Sequence, residues 1–180
     1  MRCVFLLLCS LPCAGAPLAA QQPAPVPMPE FFRGTQLRML ELQRALLLSM
    51  VDSMPESLYR DKVTAVQRDF AQQVHHAANA VAGITARYMG VPLPALTDTA
   101  VALNSRRGLR QYVNATFDFA EGVLKRQTPE SRAEIVSFFG MQIPRWQVWE
   151  EVHQHTMWTA GQVVANFRKH DMPPPGWGFF

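Results

Sequence analysis

The chain has 180 residues, of which 48% are hydrophobic, and carries 17 basic and 14 acidic side chains for a formal net charge of +3. This near balance excludes the strongly basic surface that is typical of proteins binding nucleic acid or anionic membranes. The three cysteines, Cys3, Cys9 and Cys13, all lie near the N-terminus.

Residues 1–20 have the pattern of a secretory signal peptide. Arg2 precedes an apolar run from Val4 to Leu11, and small residues lead to Ala20. The apolar run is shorter than the roughly 20 residues that span a bilayer, which disfavours a membrane anchor. We therefore predict cleavage after Ala20, export to the periplasm or the medium, and no stable membrane span afterwards.

The predicted mature chain contains no cysteine, which excludes disulfides, cysteine nucleophiles and thiolate metal ligands. Alternating prolines predict an extended spacer over residues 21–33, and a second proline cluster predicts an irregular tail over residues 173–180. Residues 34–172 are enough for one domain with a single core.

Helical periodicity predicts four long amphipathic helices in this domain. Apolar residues recur at helical spacing over residues 35–52, 64–89, 105–126 and 144–169. Thr128 followed by Pro129 predicts the start of an additional short helix, and no stretch shows strand alternation with hairpin turns. The fold class predicted is all-α, an antiparallel four-helix bundle. The connection over residues 90–104 is long for a bundle, so we expect it to form a pocket wall.

The fourth helix turns polar side chains toward its apolar face. At about 100° per residue, His155, Thr159, Gln162 and Asn166 continue the stripe that begins at Val148 and Val152. A buried polar group without a partner costs about 1–3 kcal/mol. The stripe therefore predicts a hydrogen-bonded network, a wet cavity or a bound ion.

The second helix offers a possible counterpart in His75 and His76, which lie on opposite flanks of its apolar face. Ala80 and Gly83 follow His76 by one and two turns and leave room beside its imidazole. From these residues alone, a structural histidine with ordinary hydrogen bonds is the simpler interpretation.

The chain resembles the DinB-like family of four-helix bundles, whose members are described as metalloproteins. The resemblance lies in Phe70–Asn79, in Thr116–Glu121 and above all in His155–Arg168, followed by Met172–Pro175. It covers nearly all of the chain after residue 20. The Gly-Gln pair of the fourth helix, with the following arginine and proline cluster, is fairly specific in combination.

The resemblance implies a site for one divalent metal such as zinc or nickel. In the family, a His-x-x-x-His pair on the fourth helix and a histidine on the second helix form a three-histidine site. By position His76 and His155 match two ligands, but the third position is Thr159, whose hydroxyl is a poorer ligand than imidazole. Asp118 on the third helix is a candidate replacement, whereas His153 points away from His155.

The resemblance leaves two functions open. One is a metal-dependent hydrolase or thiol transferase, in which the metal activates water or a small thiol and Gln162 and Asn79 line the pocket. The other is a non-catalytic exported bundle that has lost its third ligand and binds a small molecule or a protein partner. The family also implies a homodimer, and the sequence does not identify the small molecule.

Overall fold

A computed structural model describes residues 30–176. The predicted signal peptide, the proline-rich spacer up to residue 29 and the last four residues lie outside this range. Within it the chain is mostly helical, which agrees broadly with the predicted all-α class, and it also contains one small two-stranded sheet. The elements are α1 (Glu30–Ser53), α2 (Phe70–Met89), α3 (Thr99–Asn104), α4 (Arg106–Arg126), α5 (Pro129–Ala133), β1 (Ile135–Phe138), β2 (Met141–Pro144) and α6 (Arg145–Lys169).

The four long helices α1, α2, α4 and α6 pack side by side around one apolar core. α2 packs against α4 and α6, and α1 completes the ring by packing against the same two helices. Each contributes aliphatic or aromatic side chains that are fully or almost fully buried. No helix of the described range is long and apolar enough to cross a membrane.

The directions of the helices differ from the antiparallel prediction, because two of the neighbouring pairs run parallel. α1 and α6 start at the same end, since Gln36 near the start of α1 donates to the Trp146 carbonyl near the start of α6. α2 and α4 are also parallel, since His75 stacks on Tyr112 early in both helices while Met89 meets Gln127 at their ends. The pairs α1–α4 and α2–α6 are antiparallel.

This arrangement explains why the connection over residues 90–104 is long. α2 ends at the end of the bundle where α1 begins, so the chain must cross the bundle again before α4 can run parallel to α2. The segment after Gly90 does so and includes the short helix α3, whose N-cap Asp98 accepts hydrogen bonds from two backbone N–H groups. At the start of α4, Arg106 donates to the Met54 carbonyl and to the Glu56 carboxylate.

The prediction that the domain contains no strands was wrong, because β1 and β2 form an antiparallel hairpin between α5 and α6. Its turn consists of Phe139 and Gly140, with φ values of 47° and 89°. Positive φ at both positions is the geometry of the tight hairpin turn that matches strand twist. Phenylalanine rarely adopts it, so the sequence lacks the usual Asn-Gly or Asp-Gly signal.

Two predicted helix starts also need correction. α1 begins at Glu30, inside the predicted spacer, where the Glu30 carboxylate pairs with Arg33 and with the buried Arg132. α2 begins at Phe70 rather than near Thr64, because Asp69 forms a capping box with Gln72. The short helix expected at Thr128–Pro129 is confirmed as α5, with Thr128 as its N-cap.

Candidate functional site

His76 and His155 lie next to each other between α2 and α6. Their ring centres are 5.1 Å apart and their planes meet at 67°, an edge-to-face contact. Both imidazoles are partly buried. The structure therefore brings together the two histidines, on different helices, that the sequence analysis named as candidate metal ligands.

The distance between the two rings is close to that of two histidines bound to one metal ion. Two imidazoles on one tetrahedral zinc, at a Zn–N distance of about 2.0–2.1 Å, place their ring centres about 5 Å apart. The observed spacing agrees with this value, and the buried Nδ1 of His155 has no hydrogen-bond partner among the described residues. The ring spacing therefore leaves room for a shared divalent ion, although it is also the spacing of an ordinary edge-to-face contact.

The electrostatic environment favours the neutral form of both imidazoles. Burial, and then the positive charge of Arg68, lower the pKa of His76 and of His155 below the usual value. The neighbouring histidines lower the pKa of His76 further. Metal binding requires an unprotonated imidazole, so the lowered pKa favours coordination near neutral pH.

Thr159, which occupies the third ligand position, is a weak candidate ligand. Thr159 lies one turn after His155 and is buried, with 1% of its surface exposed. Within residues 30–176, no group of three histidine, cysteine or acidic side chains could hold a metal. A site on α2 and α6 therefore has two strong protein ligands, whereas catalytic zinc usually has three.

Asp118 does not join the histidine pair. It lies on the α1–α4 side of the bundle, where its carboxylate is 2.8 Å from the Arg44 guanidinium and its side chain is 67% exposed. Glu121, one turn further along α4, binds the same guanidinium at 2.5 Å. The structure therefore does not support Asp118 as a replacement ligand or a pocket residue.

Gln162 continues the polar stripe of α6 and contacts α2. Its Oε1 accepts a 2.9 Å hydrogen bond from the Nε2 of Gln73, which is buried. Asn166, one turn further, donates a 3.5 Å hydrogen bond to the Asp61 carbonyl. Part of the stripe thus forms a hydrogen-bonded network, one of the three alternatives that the sequence left open, and His155 and Gln162 are its partly exposed members.

His76 also lines a small polar pocket of about 250 Å³, which we call the donor pocket. Asn79, a predicted pocket residue, is in its wall, and Leu103 of α3 closes it from the long connection. The prediction that this connection forms a pocket wall is confirmed. The lining residues are Arg68, Gln72, His75, His76, Asn79 and Leu103.

On the other side of the pair, His155 lines a larger open groove of about 820 Å³ between α2, α6 and the hairpin. We call it the aromatic groove, because Phe139 and Trp158 form part of its rim with 76% and 75% of their surfaces exposed. Its lining residues are Ala80, Ile84, Phe138, Phe139, Glu151, Gln154, His155, Met157 and Trp158.

Comparisons with models of known protein families, with curated proteins and with solved structures give no match to this chain. The class that the described residues define is a mainly helical protein with four long packed helices and a histidine pair between α2 and α6.

Sequence reasoning missed several residues around the pair. Arg68 and Gln72 were not selected because the predicted helix began too early, which hid the capping box that places them at its start. Phe139 was missed with the hairpin. The Asp69-x-x-Gln72 pattern was a visible signal for the first two, whereas only tertiary packing brings the hairpin to the groove.

Proposed function

We propose that this protein is an exported DinB-like helical bundle that binds one zinc or nickel ion through His76 and His155. The observation that carries the proposal is the 5.1 Å spacing of the two rings on facing helices. The lowered pKa of both imidazoles supports it, as does the unpartnered Nδ1 of His155. The two grooves that meet at the pair give a substrate access from both sides.

The proposed activity is metal-dependent hydrolysis or transfer to a small thiol. The ion, when bound, supplies Lewis acidity to a water molecule or a thiol. The chain itself contributes apolar groove walls, notably Ile84 and Met157, while the Arg68 guanidinium attracts negative charge. With Thr159 at the third position, the site leaves more of the coordination sphere to solvent or substrate than a three-histidine site does.

The first experiment is metal content by elemental mass spectrometry on protein purified without an affinity tag or chelator. We expect about one zinc or nickel per chain, lost in a His76→Ala, His155→Ala double variant. The matched control is His170→Ala, which removes an imidazole that lies just after α6 and pairs with Asp61 instead of with another histidine. Protein that stays metal-free after dialysis against both ions would overturn the proposal.

A second candidate function is a non-catalytic bundle that binds a small molecule or a protein partner. The lack of a third strong ligand within the described residues favours it, and so do the exposed Phe139 and Trp158 beside an open groove. Isolated exposed aromatics are common, but two on one groove are a feature of binding surfaces. Metal-free protein that binds an apolar fluorescent probe in this groove, with the signal lost in Trp158→Ala, would support this candidate.

A further inference from the structure

The donor pocket has an unusual set of polar groups, because no carboxylate is among its lining residues. Asp69, which lies next to Arg68 in the sequence, is buried and turned away. Its carboxylate accepts from the Gln72 backbone N–H and pairs with Arg60 at 3.0 Å. The pocket thus lies beside the start of α2 without receiving a negative charge from the cap.

Both amides of the pocket have their oxygen already engaged. The Oε1 of Gln72 accepts a 3.1 Å hydrogen bond from the Asp69 backbone N–H. The Oδ1 of Asn79 accepts a 2.8 Å hydrogen bond from the Tyr112 hydroxyl. The polar ends that remain free on these side chains are therefore their NH₂ groups, which are hydrogen-bond donors.

Arg68 and His75 complete the set. Among the described residues Arg68 takes part in no salt bridge. Arg68 lines the same pocket as His76, and its positive charge lowers the pKa of both His76 and His155. His75 stacks on Tyr112 with ring centres 4.1 Å apart, and its buried Nε2 has no partner in the described range.

We infer that the donor pocket binds the oxyanion end of a small molecule, a carboxylate or a phosphate group. Arg68 supplies the charge, and the amides of Gln72 and Asn79 supply N–H donors, the combination that recognises such groups in proteins. Because His76 lines the same pocket, the bound anion would lie beside the histidine pair. As a statement about substrate class, the inference rests on the proposed function, but binding of the anion itself requires no metal.

The test is calorimetric titration of the purified protein with inorganic phosphate and, separately, with acetate, at constant ionic strength and with chelator present. We expect one site per chain, and the tighter of the two probes identifies the preferred oxyanion. Arg68→Ala should weaken binding at least about tenfold, because a charged hydrogen-bond donor is lost. Arg68→Lys should retain part of the affinity, and Arg126→Ala, an exposed arginine at the far end of α4, should bind like wild type.

Side-chain amide signals give a second readout that does not depend on affinity. In ¹⁵N-labelled protein the NH₂ signals of Gln72 and Asn79 should shift as the anion saturates the site. Equal affinity of wild type and Arg68→Ala, or saturation without shifts at these two amides, would overturn the inference.

The outcomes separate this inference from the proposed function. If the anion binds only after zinc is added, and His155→Ala abolishes binding while Arg68→Ala does not, then the anion is a metal ligand. The inference then fails while the metal site stands. If zinc does not bind but phosphate or acetate binds through Arg68, the proposed function fails and the anion pocket stands.

Discussion

His153 and His155 lie two residues apart on α6, yet their surroundings differ in almost every respect. His153 faces α1, is 2% exposed, and bonds through its Nδ1 to the Oε1 of Gln43 at 3.1 Å. His155 faces α2, is partly exposed, and meets His76 with its buried Nδ1 unpartnered. One helix thus carries a closed histidine on one face and an open histidine on the other.

The difference shows that burial alone does not identify a functional histidine. Gln43 uses both ends of its amide on His153, since its Nε2 also donates to the His153 carbonyl at 3.2 Å. Gln43 thus satisfies the Nδ1 of His153 and also binds its carbonyl, while the buried Nε2 of His153 has no partner among the described residues. On the α2 side, a pocket and a groove meet at the histidine pair, so the polar groups there remain available to a ligand.

The largest expected effect is a difference in stability between alanine variants of two tryptophans of α6. Trp149 is fully buried and donates to Gln127 at 2.9 Å, so Trp149→Ala should lower the free energy of unfolding by about 3–5 kcal/mol. Trp158 is 75% exposed, and Trp158→Ala should change stability by no more than about 0.5 kcal/mol. Urea denaturation measures both, and similar losses in the two variants would contradict the described packing.

The second expected effect is a pH dependence of the free energy of unfolding, caused by the buried His153. Burial lowers the pKa of His153 to about 4, whereas an unfolded histidine titrates near 6.5. Between these values the unfolded state binds the extra proton, so stability should fall as pH drops from 6.5 to about 4, by on the order of 3 kcal/mol. Denaturation at several pH values with chelator present measures the slope. His153→Gln should flatten the slope, and an unchanged profile would show that other groups cause it.

The third effect compares two glutamine contacts. Gln43→Ala leaves the buried Nδ1 of His153 without a partner and removes a second hydrogen bond to the His153 carbonyl, so we expect a loss of about 2–4 kcal/mol in the free energy of unfolding. Gln73→Ala breaks one bond to the partly exposed Gln162, which water can replace, so about 1 kcal/mol is expected. Denaturant unfolding of both variants checks that Gln43→Ala costs more stability than Gln73→Ala. The reverse result would mean that the α2 side of α6 contributes more to stability than the α1 side.

The smallest expected effect is a change in zinc affinity when the third ligand position, Thr159, is replaced by histidine. Thr159→His should raise zinc affinity, because it adds an imidazole one turn from His155. Loss of outer-shell partners changes metal affinity roughly 10–100-fold, so a direct ligand should gain at least the lower of these factors. Competition with a chromogenic chelator measures the gain, with Gly161→Ala as a control on the same helix. An unchanged affinity would mean that position 159 does not reach the ion.

The helical architecture followed from local sequence signals. Periodicity predicted all four long helices, and the Thr128-Pro129 pair predicted the start of α5, because these signals act over one or two turns. The parallel pairing of α2 with α4 could not be predicted in this way. It depends on where the segment after Gly90 runs, and that is decided by packing against distant residues.

The site was predictable in part. His76 and His155 were selected from a resemblance, and the structure places them together. The partner of His153 lies 110 residues away, and no local pattern marks Gln43 as buried. The donor pocket likewise depends on Tyr112 of α4, which orients the Asn79 amide across two helices.

The parallel course of α1 and α6 has a consequence for protein engineering. α1 begins at Glu30 and α6 ends at Lys169, at opposite ends of a bundle whose long helices span about 35 Å. A circular permutant that joins these two points would need a linker of about ten or more extended residues. A fluorescent donor and acceptor attached near Glu30 and Lys169 should therefore report the full length of the bundle.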